Sequence, residues 1–148
     1  MKLLTTILLS LFVSLTSLSQ NLEENRAAIK KACMNYIEGF YEGDTLKLKQ
    51  SLKPRLYKFG YWKNSDEEGY KYSNQMTYTQ ALNYAKNVLE KKQFPKADAP
   101  KEVTVLDIGD VIAAAKVSAW WGIDYILLSK ENDTWMIEQV IWEGPQKD

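Results

Sequence analysis

The sequence predicts an α+β domain with three N-terminal helices packed on a strongly curved antiparallel sheet, and three observations carry that reading. The segment from Lys101 to Glu143 holds four runs of β-branched, aromatic and small apolar residues, separated by short turn signals at Ile108-Gly109-Asp110, Trp121-Gly122 and Glu131-Asn132-Asp133. Ahead of it lie three stretches with apolar residues at three- and four-residue steps. The chain has 148 residues, enough for one domain and one core.

Composition removes several function classes. Nineteen basic residues balance nineteen acidic ones, so there is no basic excess to hold nucleic acid. The chain has no histidine, which removes Ser-His-Asp and Cys-His catalysis and histidine-ligated zinc. Acid–base chemistry must then come from carboxylates, lysine or tyrosine. Phosphate-binding glycine loops, CxxC and HExxH are absent from the sequence, and no metal or other cofactor is expected.

The first residues read MKLLTTILLSLFVSLTSLSQ. Lys2 opens them, an uncharged apolar stretch from Leu3 to Val13 follows, and Ser17 and Ser19 sit at the −3 and −1 positions of a cleavage before Gln20. This is the pattern of a secretory signal peptide over residues 1–19, with a single domain over 20–148. The apolar stretch is shorter than the roughly 20 residues of a spanning helix, so stable membrane insertion is not expected. No cysteine follows at the place of a lipoprotein anchor, and the mature protein is expected in the periplasm or outside the cell. Cys33 is the only cysteine, so no internal disulfide supports the domain. A reactive thiol is one reading of Cys33, and a small buried apolar residue is the blander one.

Taken in order, Asn21 to Asn25 is a polar helix start, and Ala28, Ile29, Ala32, Cys33, Tyr36, Ile37 and Phe40 form one apolar stripe. Gly43 ends that helix. Asp44 caps a second, shorter helix through Leu46, Leu48 and Leu52, and Pro54 stops it. Arg55 to Trp62 reads as a strand with a bend or bulge at Gly60, and Tyr70 to Gln75 as its hairpin partner. The acidic cluster Asp66-Glu67-Glu68 between them lacks calcium-loop spacing and reads as solvated surface. Thr77 caps a third helix through Leu89, and Lys91 to Pro100 is a linker held by two prolines.

The stretch Tyr36-Ile37-Glu38-Gly39-Phe40-Tyr41-Glu42-Gly43-Asp44 resembles the signature of the putative lumazine-binding family within the NTF2-like (SnoaL-like) cone fold. Ser51-Leu52-Lys53-Pro54 with Lys58-Phe59-Gly60, and Ile123 to Leu128 with Asp133 to Ile137, are similar to further segments of that family. The resemblance spans nearly all of the mature chain. Relatives often carry a histidine where this chain has Lys53, so no role of that histidine passes to this chain. The resemblance implies helices covering a cone with a cavity at its open end.

Strand parity selects site candidates. Trp135 and Ile137 share parity with Gln139 and Ile141, which would turn Gln139 into the interior and leave Met136, Glu138, Val140 and Trp142 on the outer face. On the third strand of the meander both parities are apolar, and the resemblance implies that Asp124 points inward at the cavity mouth. A buried carboxylate with no positive partner would be held protonated and could act as a general acid or base, whereas a structural one would accept hydrogen bonds from the turn or a tyrosine. Tyr36, Tyr57, Trp62 and Tyr84, on the helices and hairpin that close the cone, are expected to bind a flat ring by stacking.

Three functions fit. The first is a secreted, non-enzymatic domain binding a small, largely apolar or aromatic ligand in its cavity. The second is an Asp/Tyr-dependent isomerase or cyclase of the SnoaL/ketosteroid-isomerase kind, with Asp124 shuttling a proton. The third is a structural homodimer with a filled cone. An apolar outer sheet face, expected from Met136, Trp142 and Trp120, would pair two copies.

Overall fold

The computed structural model describes the backbone of residues 2–63 and 69–145 and side chains from residue 20 onward within them. The acidic turn Asp66-Glu67-Glu68 lies outside the described residues, and the side chains of the expected leader do as well. The elements are α1 (Lys2–Glu42), α2 (Thr45–Ser51), β1 (Leu52–Trp62), β2 (Lys71–Met76), α3 (Tyr78–Glu90), β3 (Glu102–Ile108), β4 (Ile112–Ala119), β5 (Gly122–Glu131) and β6 (Thr134–Glu143). The expected order of helix, helix, hairpin, helix and four-stranded meander is present. Two helices precede the sheet, and the third sits between β2 and β3.

Local chemistry sets the helix boundaries after α1. Gly43, at φ 72°, takes the left-handed turn that ends α1. The Asp44 carboxylate then accepts from the backbone N–H groups of Leu46 and Lys47 and starts α2. At α3 the Thr77 hydroxyl accepts from the Gln80 N–H while the Gln80 side chain accepts from the Thr77 N–H. The helical backbone of α1 begins upstream of the polar start expected at Asn21.

The strands form one sheet in the order β2-β1-β6-β5-β4-β3. The meander is antiparallel, but β1 runs parallel to β6, so the sheet is mixed. No tight turn joins these two strands, so hairpin geometry places no constraint on their relative direction. Strand β1 also begins three residues before the expected Arg55. The proline effect on its preceding residue extends the backbone at Lys53, and Pro54 falls in the gap of the β1–β6 register between Leu52 and Tyr57, where its missing N–H costs no ladder bond. Residues Asn132 and Asp133, at φ 48° and 57°, close the β5–β6 hairpin in the left-handed pair that two-residue hairpins favour.

The core lies between α1 and the inner sheet face. Ile29, Cys33, Tyr36, Ile37 and Phe40 from α1 pack with Val117, Ile126, Leu128, Ile137 and Val140. Burial of Cys33 pushes its thiol up to about 12, so it carries no thiolate at neutral pH and acts as a small apolar residue.

One expected face assignment is corrected. The β5–β6 pairing jumps from Leu127↔Gln139 to Leu128↔Ile137, leaving Glu138 as an extra residue in β6. This bulge reverses the side-chain alternation. Trp135 and Ile137 point inward, but so do Val140 and Trp142, and Gln139 and Ile141 are exposed on the outer face. Tyr57, Tyr125, Leu127 and Ile141, each at least 40% exposed, therefore share the outer face with Gln139. Trp142, expected there, is on the inner one.

At one end of the sheet, Arg55 holds Glu138 through two hydrogen bonds, at 2.8 Å and 2.5 Å, and Glu131 through a third, at 2.6 Å. The Ser129 hydroxyl also donates to Glu138. Lys53 reaches Glu131 at 2.7 Å. Lys53 and then Arg55 hold the Glu131 carboxyl down to about 2 from its usual 4.5. The folded state therefore favours the ionised form. Its contribution is complete above about pH 4.5 and is lost as pH falls toward 2. Glu131→Gln is expected to flatten the loss of stability between pH 4.5 and 2, read as melting temperature across that window. Half-exposure of Glu131 makes the effect small and sensitive to salt.

Candidate functional site

The site is built around Asp124, the second residue after the Gly122 turn into β5. Its alternation with Ile126 and Leu128 turns all three inward, and Asp124 is fully buried. A buried carboxylate needs donors, and two side chains supply them. The Tyr36 hydroxyl donates to Oδ2 at 2.6 Å, and the Trp121 indole N–H donates to Oδ1 at 2.9 Å. A cation completes the group: Lys58 Nζ lies 3.7 Å from Oδ2 and donates to Tyr36 Oη at 2.7 Å. The carboxylate thus has two side-chain donors and a positive partner.

Burial raises Tyr36 well above its usual 10, and the Asp124 charge adds to the rise, so the phenol stays protonated and remains a donor. Burial lowers Lys58 from its usual 10.5, while Asp124 opposes the shift. Lys58 reaches this place because Leu56, Lys58 and Gly60 alternate to the inner side of β1, while Tyr57 and Tyr61 face out.

Above this group lies a cavity of about 230 Å³. Tyr36 and Phe40 of α1, Tyr84 of α3, Trp120 and Trp121 of the β4–β5 turn, and Trp142 of β6 give it aromatic walls. Lys58 lines it too, with Ser73, Asn74 and Met76 of β2. Trp121 is the centre of these walls, meeting Tyr36, Phe40, Tyr41 and Trp120 edge to face with ring centroids 5.6–6.0 Å apart. Tyr41 fixes the turn that carries both tryptophans. Its hydroxyl donates to the Pro100 carbonyl at 2.6 Å and accepts from the Trp120 N–H at 2.8 Å.

Of the residues expected at the site, Tyr36 and Tyr84 line the cavity, and Asp124 lies behind its wall under Tyr36 and Trp121. Tyr57 is on the outer face, and Trp62 is exposed at the end of β1; neither lines the cavity. Gln139 is on the outer face because of the Glu138 bulge. Sequence reasoning favoured Tyr57 and Trp62 over Trp120 and Trp121, which also suit a flat ring, and missed Phe40, Lys58 and Trp142 as walls. Strand alternation through Leu56, Lys58 and Gly60 was the signal for Lys58. Among the described residues, no group of histidine, cysteine, aspartate and glutamate could hold a metal, and no helix is long and apolar enough to cross a membrane.

Residues 24–143 match the model of a family described as "Putative lumazine-binding". No curated protein matches the chain. Among solved structures, the chain is similar to an NTF2-like protein of unknown function from Methylobacillus flagellatus, at 18% identity and TM-score 0.63, over 83% of this chain and 94% of that one. It is also similar to an NTF-2 like protein of unknown function from Silicibacter pomeroyi, at 14% identity and TM-score 0.61, over 84% and 98%. A third, of unknown function from Shewanella baltica, is 16% identical with TM-score 0.60, over 84% and 96%. At these identities the likeness concerns the fold.

Proposed function

Because the chain belongs to the putative lumazine-binding family, we propose that it is an exported, non-enzymatic NTF2-like domain that binds a small, largely apolar or aromatic molecule inside its curved sheet. The observation that carries this reading is the aromatic cavity of about 230 Å³ over a buried Tyr36–Lys58–Asp124 group. Ligand sites are concave, mostly apolar and furnished with a few placed polar groups, and this cavity has that character. Its volume is below the roughly 300–1,000 Å³ of sites for drug-sized molecules, which suits one or two fused rings. The family description names lumazine, a fused-ring compound, in keeping with that size.

Export rests on the leader pattern of residues 1–19, with the periplasm or the cell exterior as destination. The outer sheet face, with Tyr57, Tyr125, Leu127 and Ile141 exposed, supports pairing of two copies there. Titration with neutral bicyclic aromatics, followed by tryptophan fluorescence, tests the binding reading. Saturable quenching that is lost in Trp121→Ala is the expected result. Quenching unchanged by that substitution would refute it.

The Tyr36–Asp124 hydrogen bond keeps an Asp/Tyr-dependent isomerase or cyclase as the second reading. It requires a turnover that Asp124→Asn abolishes while the protein remains folded.

A further inference from the structure

Lys58 is more than nine-tenths buried, yet its ammonium lies among three cavity-lining rings, 5.4 Å from the centroid of Tyr36, 5.6 Å from Trp142 and 5.9 Å from Trp121. Of its three N–H donors, one goes to Tyr36 Oη at 2.7 Å, and Asp124 Oδ2 stands at 3.7 Å, long for a second bond. Donor capacity therefore remains beside the aromatic space. The facing titratable groups are Asp124 and Tyr36, with Cys33 beneath them, and the Lys58–Asp124 pair is formally neutral.

We propose that Lys58 anchors the ligand, donating to a carbonyl-type oxygen at the buried edge of an uncharged ring system. This rests on the cavity-binding reading above and specifies the ligand class. A carbonyl oxygen accepts from one of the two remaining N–H donors at no charge cost. A carboxylate would compete with Asp124 for the same cation and leave the buried group with a net negative charge. A ligand ammonium would face Lys58. Ser73 and Asn74, on β2, offer polar contacts at another wall of the cavity.

The test compares coumarin, naphthalene and 2-naphthoate as probes of one bicyclic shape, with tryptophan quenching as the readout. Wild type is expected to bind coumarin about tenfold more tightly than naphthalene, the scale of a hydrogen bond to a charged group, and 2-naphthoate more weakly than coumarin. Lys58→Met is expected to level coumarin with naphthalene. That variant leaves Asp124 buried without its cation, so the same comparison is made in Lys58→Met combined with Asp124→Asn, which removes both charges together. A coumarin preference that survives in the double variant overturns the proposal, as does tighter binding of 2-naphthoate. Equal binding of all three to wild type overturns the Lys58 assignment and leaves the cavity reading standing. Binding of none of them overturns both.

Discussion

Asp124→Ala is expected to destabilise the domain by about 4 kcal/mol, lowering the melting temperature by about 12 °C. The residue is completely buried and serves three partners at once. Its removal leaves the Lys58 ammonium without a counter-charge and both the Tyr36 hydroxyl and the Trp121 indole without an acceptor. Breaking one side of a buried pair costs more than the pair itself contributes, because the remaining charge has lost its water as well. Removing both charges in Lys58→Met combined with Asp124→Asn should therefore recover most of the loss. Denaturant unfolding of Lys58→Met, Asp124→Asn and their combination gives the coupling, expected at about 2 kcal/mol or more. Additive losses would show that Asp124 and Lys58 do not act on each other.

Gly60→Val is expected to cost about 3 kcal/mol and to abolish ligand binding. A Cβ at position 60 would sit 2.3 Å from the Trp142 carbonyl oxygen and 2.4 Å from the Trp142 ring. The carbonyl is backbone of the adjacent parallel strand, so it cannot swing away as a side chain tip would. Either β1 separates from β6 or Trp142 moves, and Trp142 is a cavity wall. The extra residue in the β1–β2 register beside Lys58 and Gly60 lies in β2, β1 stays in step with β6 there, and the glycine serves to admit the indole. Chemical denaturation and a fluorescence titration read the two effects separately.

Much of this was legible in the sequence for identifiable reasons. The α1 stripe from Ala28 to Phe40 follows the helical period, and its residues pack where that period puts them. Thr77 with Gln80, Asp44 and Gly43 mark boundaries through chemistry confined to a few neighbouring residues, whereas the bulge expected at Gly60 of β1 falls in its partner β2. The errors arose where a single extra residue shifts a period of two. Glu138 bulges from β6, and every side chain after it changes face, which exchanged Gln139 with Trp142. Nothing local to TWMIEQVIWE announces that bulge. Glu138 is held by Arg55, 83 residues away, and by Ser129 on the neighbouring strand. Similarly, Tyr57 and Trp62 were chosen for aromatic character, while alternation along β1 gave the inner place to Lys58. A lysine pointing inward becomes intelligible only with Asp124 and Tyr36 beside it, 66 and 22 residues away.

The aromatic cavity is expected to hold a small molecule. Native mass spectrometry of the mature protein, purified from its own host, tests it most directly. A retained molecule near one per subunit, released by unfolding and absent from Trp121→Ala, is the expected result. An empty wild-type protein at the mass of two subunits, which also fails to take up an added neutral bicyclic probe, would contradict it and favour a structural homodimer.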